Sequence, residues 1–84
     1  MIDRLEVEYA LRGAVGKRLD PPRAAAFVAP TAQLHRLGFG IPDFEALEAF
    51  ITDTWELPIT IQSDCTIAAI ADIVCMALIR RNAA

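Results

Sequence analysis

Eighty-four residues, 55% of them apolar and 23% charged, make one small domain; this composition excludes a disordered chain, and the length excludes a second domain. The net charge of −3 is uneven, with six basic and four acidic side chains in residues 1–42 (+2) and two basic and seven acidic in residues 43–84 (−5). An acidic second half repels phosphate backbones, which disfavours nucleic acid and suits a basic protein surface. The apolar share exceeds the usual band of about 45–50%, so a chain this short has more apolar surface than it can easily hide.

The first predicted element is a helix over residues 2–19. Good helix formers dominate it, and Asp20-Pro21-Pro22 stops it. Its apolar stripe is blurred. Ile2, Leu5 and Tyr9 share one side and Val7, Leu11 and Ala14 another, which suggests a helix covered on two sides. Residues 20–41 read as a long connection broken by Pro21, Pro22, Pro30, Gly38 and Gly40. Loops of this length are uncommon in compact domains unless they pack. Phe27, Val28, Leu34, Leu37 and Phe39 are expected to pin it, with a short helical turn around residues 24–27.

The clearest periodicity predicts a second helix over residues 43–56. Phe44, Leu47, Phe50, Ile51 and Trp55 fall on one face, and Glu45, Glu48, Asp53 and Glu56 fall opposite. Asp43 is the expected N-cap, with Pro42 as first helical residue the other option. Leu57-Pro58 ends the helix, and residues 58–65 form an extended link. Ser63, Asp64 and Thr66 are cap candidates for a last helix over residues 66–81. Ile67, Ile70, Val74 and Ala77 make its expected core face, while Cys75, Met76 and Ile79 lie on the other side.

Four pieces of this pattern combine into a resemblance. Leu34-x-x-Leu37-Gly38-Phe39 is followed by Asp43-Phe44-Glu45-Ala46-Leu47, then by Trp55-Glu56-Leu57-Pro58-Ile59 and Thr66-Ile67-Ala68-Ala69-Ile70-Ala71-Asp72-Ile73-Val74. The order and motifs resemble the acyl carrier protein family over most of the chain. The resemblance implies an all-α bundle of three to four helices with a long first loop. It also implies docking on enzymes of fatty-acid, polyketide or peptide biosynthesis through an acidic second helix.

Three departures limit what carries over. Gly40-Ile41-Pro42 stands where the family has Asp-Ser-Leu, so Ile41 occupies the phosphopantetheine attachment position and offers no hydroxyl. His35 and Arg36 replace acidic residues before the Leu-Gly pair, and the short link leaves little room for the family's small third helix. A carrier-like module without the prosthetic arm is therefore expected, with Asp43, Glu45, Glu48, Asp53 and Glu56 facing a basic partner. A solvated helix face explains the same five carboxylates equally well.

The alternative reading is a structural helical homodimer or subunit, with Cys75, Met76 and Ile79 as its apolar face. A working carrier modified at Ser63, the chain's single serine, is the weakest reading, because a turn or cap role suits that residue better. No enzyme is expected. Glu45 and Glu48 are neighbours without a nucleophile, metal or pocket, and His35 reads as a loop-satisfying group. No cofactor or metal site is expected from one histidine and two separated cysteines. If Cys65 and Cys75 share a helix they are roughly 15 Å apart along it. A disulfide needs Cα atoms within about 7 Å, so reduced thiols are expected. No signal segment or membrane span is visible, and the expected compartment is the cytoplasm.

Overall fold

The computed structural model describes residues 3–83. Met1 and Ile2, where the first helix was expected to begin, and Ala84 lie outside the described residues. Helix α1 spans Arg4–Arg18, α2 spans Ile41–Trp55 and α3 spans Ile67–Ala83. Two short 3-10 turns, Ala25–Phe27 and Leu34–Leu37, sit in the first loop. This is a small all-α bundle with a long first loop. Residues 56–66 form no helix, so the bundle has three helices among the described residues.

Asp3 caps α1, its carboxylate accepting from the Leu5 N–H at 2.9 Å, with Glu6 in the first turn and Lys17 and Arg18 in the last. Val7, Leu11 and Val15 recur every fourth residue and are buried. Leu5 and Tyr9 are 72% and 59% exposed, so the helix is covered on one side and not on two. At its end, the Gly16 carbonyl accepts from both Leu19 (3.3 Å) and Arg23 (2.9 Å), folding the chain back over α1.

The long loop is sewn down at both ends. Near α1, Arg12 donates to the carbonyls of Val28 (2.9 Å) and Ala26 (3.2 Å). Near α3, the Leu34 N–H donates to the Cys65 carbonyl (3.1 Å), and the Ala68 N–H to the Pro30 carbonyl (2.9 Å). An isolated antiparallel bridge joins Gln33 and Thr66. Gly38 closes the second turn at φ +98°, a left-handed backbone that glycine adopts without a Cβ clash. Val28, Leu34 and Phe39 are buried and Leu37 is partly so. Phe27 is 75% exposed and pins nothing, because the 3-10 turn directs Ala25 and Val28 inward instead.

The buried faces of the three helices meet in one cluster, with Leu11, Leu34, Ile51 and Ile67 wholly buried. Leu47 and Ile51 are the buried residues of α2. Phe44, Phe50 and Trp55 flank them half-buried, with edge-to-face contacts Phe39–Phe44 at 5.4 Å and Phe50–Trp55 at 5.8 Å. Arg18, near the end of α1, pairs with Asp43, near the start of α2. Ala10 and Trp55 border a common cleft further along. The two helices therefore run antiparallel. Thr66 starts α3, its hydroxyl accepting from the Ala69 N–H at 3.1 Å.

Candidate functional site

Gly40, and not Asp43, is the N-cap of α2. The helix starts at Ile41 with Pro42 second, where a missing N–H costs nothing. Asp43 sits at the third position and reaches back to the Gly40 N–H at 2.9 Å. An N-cap reading of Asp43 fails because glycine already supplies the extended backbone that precedes the helix. Ile41, which the resemblance equates with an attachment position, is 75% exposed at the head of α2. An aliphatic side chain is thus presented to solvent where the resemblance would place a serine.

The five carboxylates of the expected docking face divide into two groups. Asp43 also accepts from the Arg18 Nε at 2.8 Å. The Gly40 N–H first and the Arg18 guanidinium second hold its carboxyl below the ordinary range. Glu48 accepts from the Ile61 N–H at 2.7 Å and ties the α2–α3 link to the helix. It lies one turn after Phe44, at the border of the apolar stripe, and not fully opposite it. Glu45, Asp53 and Glu56 remain exposed. Glu56 has φ 56°, so it terminates the helix, its N–H donating to the Thr52 carbonyl at 2.8 Å. Three of the five carboxylates are thus available to a partner, while Asp43 and Glu48 are committed inside the fold.

These commitments carry an acid signature. A carboxyl whose folded pKa is depressed stabilises the fold above its unfolded pKa, and that contribution disappears as pH falls through the folded value. For Asp43 the window lies below the ordinary value of 3.8. Asp43→Asn is expected to lower the melting temperature at neutral pH, with the gap to the parent closing as pH drops below about 4. Thermal melts across that range check it, and a gap that stays constant would show that the ionised carboxylate contributes nothing.

The second candidate set is also divided. Cys75 is buried against the core and does not belong to an exposed face. It continues the Ile67, Ala71, Val74, Leu78 stripe, being one turn from Ala71, and burial pushes its thiol pKa up. Met76 and Ile79 are 54% and 57% exposed, and Ile73, outside the expected set, joins them at 46%. Both cysteines are free, Cys65 lying just before α3.

His35 Nδ1 lies 2.9 Å from the Ser63 carbonyl oxygen, so the histidine closes the loop and Ser63 occupies an exposed turn. Two surface clefts were not anticipated. One, of about 370 Å³, lies between α1 and α2, because Gly13, Ala14 and Ala46 are too small to fill the space over Leu47 and Phe50. The other, of about 470 Å³, lies where the start of α1 meets the ends of α2 and α3, and Arg81 donates to the Trp55 carbonyl there at 2.7 Å. The sequence cue for the first was the run of small residues at helical spacing. Among the described residues no three His, Cys, Asp or Glu side chains group as metal ligands, and no helix is long and apolar enough to cross a membrane.

No family model matches the chain, and no curated protein or solved structure matches it either. The likeness to carrier proteins therefore rests on the residue pattern alone.

Proposed function

We propose that this chain is a non-catalytic, carrier-like docking module that lacks a phosphopantetheine arm. The observation that carries the reading is the division along α2. Glu45, Asp53 and Glu56 stay exposed on a helix without a basic residue, while the helix head presents Ile41 in place of a modifiable hydroxyl. A surface of this sign suits the basic docking patch of an enzyme that uses acyl, polyketide or peptidyl carriers. Cys65 and Cys75, taken as reduced thiols, fit a cytoplasmic setting.

Two measurements test the two halves of the proposal. Incubation with coenzyme A and a broad-specificity phosphopantetheinyl transferase is expected to leave the intact mass unchanged. A gain of one phosphopantetheine, mapped to Ser63, overturns the armless reading and favours a working carrier. For docking, the partners are purified carrier-dependent acyltransferases and condensing enzymes of the source cell. Association of the parent should slow with added salt. Reversal of Glu45, Asp53 and Glu56 to lysine should slow it about tenfold or more at low salt. A triple variant that associates at the parental rate, or a parent that binds none of these enzymes, refutes docking through α2. Glu48→Lys serves as the contrast. It leaves the Ile61 N–H without its acceptor, so it should cost about 1–3 kcal/mol of stability.

A further inference from the structure

We infer that the outer face of α3 is a self-association surface, and that its occupant is a second copy of this chain packed antiparallel about a two-fold axis through Met76. Ile73, Met76 and Ile79 are three residues apart and are 46%, 54% and 57% exposed, on the side of α3 away from Ile67, Ile70 and Val74. Three large apolar side chains in one stripe form a patch and not a scatter of single residues.

The charges flanking the stripe select the occupant. Asp72 stands four residues before Met76 and Arg80 four residues after it, and both are exposed. A two-fold axis at Met76 sets two helices antiparallel. Ile73 then approaches the partner's Ile79, and Asp72 comes within the long reach of the partner's Arg80. A parallel alignment would instead set each of these charges against its like, which opposes association. Asp72 is already held by Arg4 at 2.6 Å, yet its side chain stays 63% exposed, and a carboxylate accepts several hydrogen bonds at once. The Arg4 contact fixes the carboxylate in place beside the stripe. The surface is thus complementary to itself in one register.

This inference does not depend on docking through α2. Glu45, Asp53 and Glu56 lie outside the α3 stripe, so a dimer would keep both acidic faces open. A stripe of this size makes a small interface, below the typical ~800 Å² per partner, so exchange in the micromolar range or weaker is expected.

Sedimentation equilibrium on the full chain, from about 1 µM to about 1 mM, tests it. The apparent mass of the parent should rise from 9.2 kDa toward twice that value. Met76→Lys should stay monomeric, with an unchanged circular dichroism melt because the side chain is exposed. Arg80→Asp and Asp72→Arg chains should each fail to self-associate, and an equimolar mixture of the two should dimerise with parental strength. A monomeric parent, a dimer indifferent to Met76→Lys, or a mixture of folded charge variants that stays monomeric overturns the inference. None of these readings depends on whether α2 binds an enzyme.

Discussion

Leu47→Ala is expected to cost about 2–5 kcal/mol of unfolding free energy, from lost transfer energy and an incompletely collapsed cavity. A domain of 84 residues has roughly 4–13 kcal/mol in total, so this one truncation removes a large share of its stability. The site explains the size of the effect. Leu47 is 2% exposed and Ile51 wholly buried, and they are the two buried residues of α2. The half-buried rings of Phe44, Phe50 and Trp55 rest against the same cluster. The neighbouring residues Ala14 and Ala46 are too small to close over the gap, so the cleft between α1 and α2 would deepen. Denaturant unfolding followed by far-UV circular dichroism measures the loss. A variant that unfolds within error of the parent would show that α2 does not bury this face.

Gly16→Ala should also destabilise, against the ordinary preference. In an exposed helix interior, alanine is favoured over glycine by about 1 kcal/mol. Here the sign reverses. A Cβ at residue 16 would collide with the carbonyl oxygen of Arg23 and approach its carbonyl carbon at 3.1 Å and the Val28 side chain at 3.2 Å. The obstacle is backbone, and it cannot rotate away. The Gly16 carbonyl also holds the Leu19 and Arg23 N–H groups, so separating the strands of this turn loosens two hydrogen bonds. Overpacking of this kind costs about 1–3 kcal/mol, and the loss of the turn adds to it. Gly13→Ala is the control. Its added Cβ would meet one atom, the Ala25 Cβ, at an ordinary 3.9 Å, so its stability should hold or rise. Melts of the two variants side by side check the reversal, and equal behaviour would remove the close approach as its cause.

The helices were legible because their signals are local. Proline and glycine bound α1 and α2, a 3.6-residue period marks Leu47 and Ile51 as inward, and Thr66 caps α3 as its side chain permits. Residues whose roles depend on a distant neighbour were not legible. Nothing near Glu48 in the chain announces that Ile61 will donate to it, and nothing near Asp43 announces Arg18. Glu48 read as a free docking charge, and Asp43 as a docking charge with a local capping role, until the fold brought those partners to them. Cys75 shows the same limit on the apolar side. On α3 the period marked Ile67, Ile70 and Val74 as inward and Met76 and Ile79 as outward, as the structure has them, but apolar residues occupy nearly the whole circumference, so it could not place Cys75. Packing against α1 and the loop made that choice, placing Cys75 inward and leaving Ile73 outside beside Met76 and Ile79. Phe27 was expected inside beside Val28 because it is large and apolar, yet the 3-10 turn that sends Ala25 and Val28 inward leaves it 75% exposed. The sequence by itself determined the approximate ends of the three long helices, the acidic character of α2 and the absence of a hydroxyl at Ile41, because these depend on residue type and local spacing. Only the tertiary structure decided which carboxylates stay free and that Ile73 in place of Cys75 joins the open apolar face, because both depend on contacts between residues far apart in the chain.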